Sequence, residues 1–162
     1  MSVEINYSKK TQNKNNANLV YFSNHKLDIK PIKKNLSSFE FNYINDLLKT
    51  ADLKKKIFIF EINSKKKIFI ISIKKDIKIS GIENLGAEFY SQIKKKNSEY
   101  LINSDSINNA DKTFLGHFLH GIKLKSYEFK KYKSKKDSKK ILLKVVGNKK
   151  PSAQSQLNFK AL

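Results

Sequence analysis

Ile57-Phe58-Ile59-Phe60-Glu61-Ile62-Asn63-Ser64-Lys65-Lys66-Lys67-Ile68-Phe69-Ile70-Ile71-Ser72-Ile73 is the stretch whose reading decides the fold. Two runs rich in Ile and Phe, Ile57 to Ile62 and Ile68 to Ile73, flank the polar Asn63-Ser64-Lys65. β-branched and aromatic runs of this length around a short polar turn predict a β-hairpin. The runs are almost continuously apolar, which predicts that at least one of the two strands is covered on both faces. Covering layers must then come from the flanking sequence.

Upstream, Ser37 or Ser38 is an N-cap candidate with Glu40 in the first turn, and Phe41, Ile44, Leu47 and Leu48 follow at helical spacing. A helix is expected from about Ser38 to Thr50, with Leu53 packing at its exit. Before it, Val3 to Tyr7 alternates like a short edge strand, Lys9 to Asn18 reads as a polar loop, and Leu19 to Phe22 reads as a second strand. Pro31 interrupts a Lys-rich connection.

Downstream, Ser80 is expected to cap a helix whose stripe is Ile82, Leu85, Gly86, Phe89, Tyr90 and Ile93, with Lys94 to Lys96 suiting its C-terminal dipole. Tyr100 to Ile102 is a short strand. Asp111 opens a third helix bearing Phe114, Leu115, Phe118, Leu119 and Ile122, expected to fade near Lys125. Tyr127, Phe129 and Tyr132 then alternate with polar residues before the charge run Lys133 to Lys140. Ile141 to Val146 is the last strand. Pro151 is suited to the first turn of a final helix, in which Leu157, Phe159 and Leu162 begin an apolar pattern without a C-cap signal, so that helix looks cut off. Strand, strand, helix, hairpin, helix, strand, helix, strand, part-helix is the order expected of a mixed β-sheet flanked by helices, an α/β fold. No internal repeat is visible.

The chain has 162 residues, enough for one domain that buries roughly two-thirds of its unfolded surface. Its formal charge is +20, and all 34 basic residues are Lys. Specific readers of phosphates and bases favour the planar fork of Arg, whereas Lys attracts polyanions as a point charge. Lys, Asn and Ile share A/T-rich codons, so a biased genome explains the composition at least as well as a nucleic-acid role. Without Cys there is no disulfide, no thiolate metal ligand and no thiol nucleophile, which suits a reducing cytoplasm. Met1 to Lys10 has no apolar core of a secretory signal, and Ile68 to Ile73 is far too short to span a bilayer, so no membrane association is expected.

Chemistry is sparse. His117 and His120 can share a helix face, but two His are a weak metal signal, and their nearest acids in sequence, Asp111 and Glu128, do not complete a site. The plainer reading makes them polar positions beside an apolar stripe. His25 stands alone in a loop. The glycines, at 81, 86, 116, 121 and 147, form neither a phosphate loop nor a dinucleotide fingerprint. Gly86 and Gly121 lie within predicted helices, where close helix–sheet packing is the expected reason for them. No catalytic and no metal-binding residue is assigned. Tyr127, Tyr132, Lys133, Lys135 and Lys136 interleave aromatic rings with charge and are the candidate polyanion contacts, since rings stack bases while Lys tracks phosphates. The alternative is that the aromatics anchor a lobe edge and the Lys run is a solvated loop.

Leu119-His120-Gly121-Ile122-Lys123-Leu124-Lys125-Ser126-Tyr127-Glu128-Phe129-Lys130-Lys131-Tyr132-Lys133-Ser134-Lys135-Lys136 resembles a stretch of bacterial leucine aminopeptidases, in which a helix carrying a Gly leads into a Tyr-x-Phe-x-x-Tyr-Lys motif of the N-terminal domain. Ile82-Glu83-Asn84-Leu85-Gly86-Ala87 is similar to a helix opening of that family, and Leu157 to Leu162 to its entry into the linker helix. The resemblance spans residues 80 to 162; upstream it rests on element order. Relatives often carry Glu at the position of His120, which weakens a metal reading of the His pair.

The resemblance implies a macro-domain-like three-layer sandwich over residues 1–148, with residues 149–162 starting a linker helix toward a catalytic domain. In the family that second domain holds two divalent metals (Mn or Zn), with a signature Asn-Thr-Asp-Ala-Glu-Gly-Arg. This string is absent here, so no catalytic or metal residue carries over and the chain is expected to be inactive alone. The implied role is the non-catalytic N-terminal domain of a metal-dependent leucyl aminopeptidase. Its implied partner is the catalytic C-terminal domain, in cytoplasmic homohexamers. The alternative is a Lys-rich nucleic-acid-binding module with weak affinity; some family members bind DNA. An ADP-ribose-type ligand, suggested by the macro-like fold, is the third reading, and the Gly-rich loop expected of it is missing.

Overall fold

The computed structural model describes residues 2–9, 18–94, 98–108, 110, 112–132 and 140–161. Six strands form one sheet in the order β1-β6-β5-β2-β4-β3: β1 (Ser2–Ser8), β2 (Asn18–Asn24), β3 (Ile57–Asn63), β4 (Lys66–Ile73), β5 (Glu99–Asn103) and β6 (Lys140–Val146). Every neighbouring pair is parallel except the hairpin β3–β4, where Ile59 faces Phe69 and Phe60 faces Ile68. The predicted double coverage falls on β4, whose residues Ile68 to Ile73 are all buried, while β3 is an edge and alternates. The strand order places β4 inside the sheet, between β2 and β3.

Helices α1 (Ser38–Lys49), α2 (Ile79–Ile93), α3 (Phe114–Tyr132) and α4 (Ala153–Ala161) supply the covering layers. On one face Phe41, Ile44 and Leu48 of α1 pack with Ile29, Ile32 and Leu36 against Tyr21, Phe58, Phe60, Ile68 and Ile70. Ile32 belongs to a 3-10 turn, Lys30–Asn35, which Pro31 opens rather than interrupts. On the other face α2 and α3 pack on Phe22, Phe69, Ile71, Tyr100, Ile102 and Leu143. Aromatic rings dominate there: Phe69, Phe89 and Tyr100 meet edge to face at 5.6 to 6.1 Å. This is the expected three-layer α/β sandwich.

Several local expectations change. Leu53 is 64% exposed and Leu47 44%, so the core side of α1 ends at Leu48. Ser80 lies inside the first turn of α2, whose N-cap, Lys78, makes no side-chain cap. Pro151 precedes α4, where Ser152 caps by accepting from the Ser155 N–H at 3.2 Å. Leu157 is exposed and Phe159 is buried. Asp111, Lys95, Lys96 and Leu162 fall outside the described residues. The third helix does not fade near Lys125. It continues to Tyr132 because its buried side persists through Ser126, whose hydroxyl donates to the Lys123 carbonyl at 2.8 Å. Lys and Glu are good helix formers, so the apparent alternation of Tyr127, Phe129 and Tyr132 is incidental to helical backbone.

Gly86 and Gly121 are also reassigned. They lie in the contact between α2 and α3, not between helix and sheet. A methyl on Gly86 would run into the Phe118 carbonyl oxygen, and one on Gly121 into the Glu83 carbonyl oxygen. Each Gly thus meets the carbonyl three residues before the other Gly, and the two backbones touch.

The start of α1 is an electrostatic joint. Ser37 and Glu40 form a capping box, with Glu40 N–H donating to the Ser37 hydroxyl at 3.1 Å and Ser37 N–H to Glu40 Oε1 at 3.0 Å. Lys66 at the head of β4 reaches Glu40 Oε2 at 2.7 Å. Burial pushes the Glu40 carboxyl up, but the hydrogen bonds from Lys66 and Ser37 outweigh it and hold the carboxyl below its ordinary value of 4.5. The folded-state value is depressed, so this stability is present above pH 4.5 and lost as pH falls through the lower folded value. Glu40→Gln keeps the cap and removes the charge. It is expected to cost about 2 kcal/mol at neutral pH, and melts at pH 7 and pH 3 should show the gap to the wild type narrowing in acid. A gap of constant size would mean that the Lys66 contact is not electrostatic.

Candidate functional site

Strand order locates a crevice. The chain leaving β2 crosses to the α1 face, whereas the chain leaving β5 enters α3 on the opposite face. The two connections diverge at adjacent parallel strands, which opens a cleft beyond their carboxyl ends, the usual ligand position in open α/β sheets. The cleft measures about 410 Å³. Lys9 after β1, Lys34 and Asn35 of the 3-10 turn, and Asn103, Asp105 and Ser106 after β5 line it.

Most of its inner polar groups tie strand ends together. Asn103 Oδ1 accepts from Ser106 N–H at 3.0 Å, and the Ser106 hydroxyl accepts from Phe22 N–H at 2.9 Å. Ser104 donates to the Val146 carbonyl at 3.1 Å, and Asp105 accepts from Asn148 N–H at 3.0 Å. Gly147, at φ +132, turns the chain where a Cβ would also press on Asp105 at 2.9 Å. The floor is therefore fixed, while Lys9, Lys34 and Asn35 form a polar, cationic rim. Such a rim suits binding of a polar ligand more than bond breaking: Asp105, the lone carboxylate of the lining, is committed to backbone.

The candidate polyanion contacts are not at this crevice. Tyr127 is half exposed on α3, and Tyr132 is the last residue of that helix. Lys133, Lys135 and Lys136 lie outside the described residues. His117 and His120 lie one turn apart on α3 and line a second concavity. The acid that meets them is Glu83 of α2, not Asp111 or Glu128: its Oε2 is 3.1 Å from His120 Nδ1. Glu83 is 37 residues away in sequence, and only the α2–α3 contact brings it there. Among the described residues no group of three or more His, Asp and Glu is placed to hold a metal, and no helix is long and apolar enough to cross a membrane. The crevice residues were not singled out from sequence. A polar tetrad after a short apolar strand, Asn103-Ser104-Asp105-Ser106, was the available signal, and it acquires meaning only with strand order.

No protein-family model and no curated protein sequence matches the chain. Solved structures do. A point mutant of tomato leucine aminopeptidase superposes with a TM-score of 0.62 at 14% identity, covering 98% of this chain and 35% of that one. A macrodomain protein from Streptomyces coelicolor gives 0.56 at 10% identity, covering 90% of this chain and 99% of that one. The chain therefore spans about a third (35%) of the aminopeptidase, and at these identities the likeness is one of fold: a mixed six-stranded sheet between helices, shared with a macrodomain and with part of a leucine aminopeptidase.

Proposed function

We propose that this chain acts as the non-catalytic N-terminal domain of a metal-dependent leucyl aminopeptidase, an enzyme that removes N-terminal residues from peptides. The observation that carries the reading is the agreement of two independent likenesses. The sequence resemblance over residues 80–162 names the family, and the superposition of 98% of the chain on part of a leucine aminopeptidase supplies a fold compatible with it. In this reading residues 1–148 form the domain and 149–162 begin the linker. The partner is the catalytic C-terminal domain, which holds two divalent metals (Mn or Zn) within a cytoplasmic homohexamer. The role of the present domain is architectural: it flanks the catalytic domain and shapes access to it.

Two measurements test this. Leucine p-nitroanilide hydrolysis by the 162-residue chain with added Mn or Zn is expected to stay at background. Robust metal-dependent hydrolysis would overturn the non-catalytic assignment. Reading the coding frame past Leu162 is expected to reveal the Asn-Thr-Asp-Ala-Glu-Gly-Arg string. A stop codon there would sink the aminopeptidase reading and leave a free-standing binding domain.

A further inference from the structure

The second concavity, between α3 and the approach to α4, is about 550 Å³. Basic side chains enter it from three places: Lys112 just before α3, His117 and His120 on α3, and Lys150 just before α4. One carboxylate, Glu83, also lines it, and His120 engages that carboxylate at 3.1 Å. Lys112 and Lys150 are thus left as two exposed positive charges without a carboxylate in ion-pair range among the described residues. Hydroxyls of Thr113, Ser152 and Ser155 share the wall. Gly116 lies where α3 meets the approach to α4: a Cβ there would be in ordinary contact with Ser155 and Pro151, at 3.6 to 3.9 Å.

From this geometry we infer that the α3–α4 concavity binds the phosphate group of a phosphomonoester. Such a dianion matches the two Lys charges, and its three terminal oxygens take donors from several sides at once. Lys112 and Lys150 line the concavity from the segments just before α3 and α4, and His117 lines it from α3 itself. The starts of α3 and α4 both border it, through Thr113 and Gly116 and through Ser152 and Ser155, and a helix start carries partial positive charge even though the Ser155 N–H is taken by Ser152. The site is separate from the strand-end crevice, and the inference stands whether or not the chain belongs to an aminopeptidase.

Its test uses the chain's own reporters. The protein has three histidines, so three imidazole Hε1 proton signals can be followed by NMR and assigned with His→Gln variants. Inorganic phosphate is titrated at about 150 mM salt, where long-range attraction between exposed charges is screened. Saturable shifts are expected for His117 and His120 and none for His25, which lies in the loop after β2. Lys112→Ala with Lys150→Ala should weaken binding tenfold or more. A control pair in the loop between α1 and β3, Lys54→Ala with Lys55→Ala, should change nothing. Unmoved His117 and His120 signals would overturn the inference, as would equal weakening by both Lys pairs. So would movement of these signals with an oligonucleotide lacking terminal phosphate but not with phosphate, because the site would then read nucleic-acid backbone.

Discussion

Gly86→Ala is expected to lower the unfolding free energy by about 3 kcal/mol or more, at the upper end of overpacking costs. The new methyl would meet the Phe118 carbonyl carbon at 3.1 Å and the Ile122 nitrogen at 3.2 Å, with the Phe118 oxygen closer still. These are backbone atoms of α3, held by their own helix and by the sheet beneath, so no side chain can swing aside. Relief requires separating the helices, which loosens Leu85, Phe89, Phe118 and Ile122 together. Gly121→Ala should behave alike, since its methyl would approach Glu83 Cα and carbonyl carbon at 2.8 Å. For a domain of this size the melting temperature should fall by about 2–4 °C per kcal/mol. Gly116→Ala, on the same helix as Gly121, supplies the contrast: its methyl would find only ordinary contacts, the nearest at 3.6 Å. There Ala should stabilise by about 0.5–1 kcal/mol through helix propensity. Thermal melts of the three variants decide the matter, and the assignment of a backbone–backbone contact fails if Gly86→Ala costs no more than Gly116→Ala.

Phe118→Ala is expected to cost about 3–5 kcal/mol. The ring is fully buried. It meets Phe22 of β2 edge to face at 5.2 Å, lies 5.8 Å from Phe89 of α2, and stacks at 6.1 Å on Phe114 one turn before it. One side chain therefore joins the sheet to both helices of this layer. Truncation leaves a void that three rigid rings cannot collapse to fill. Phe118→Leu, which keeps most of the volume, should cost much less, and urea unfolding of the two variants measures the difference. Similar losses for both would show that ring contacts rather than volume set the stability. Gly86→Ala and Phe118→Ala share one junction, so their combined effect should depart from the sum.

The candidate sites were only partly legible from sequence. His117 and His120 stood out by helical spacing, yet their partner Glu83 did not, because helical periodicity reports which residues share a face and is silent on which other helix meets it. Likewise Gly86 and Gly121 were recognisable as packing residues. That they pack on each other's helix follows from α2 and α3 being neighbours over the same sheet face. The crevice had no sequence signature of its own, since its walls come from the ends of β1, β5 and β6 and from the turn after β2. Helical content in Tyr127 to Tyr132 was masked by chance alternation of aromatic and charged residues, which local pattern cannot separate from a strand.

The sequence by itself determined the elements, the hairpin Ile57–Ile73 and the sandwiched character of β4, because hydrophobic periodicity and turn residues act over a few positions. Strand order, the divergence of the β2 and β5 connections, the Gly86–Gly121 contact and the Glu83–His120 pair were decided only in the tertiary structure. Each depends on groups far apart in the chain that meet once apolar faces are buried, a free energy that belongs to the packed layers and not to any segment alone.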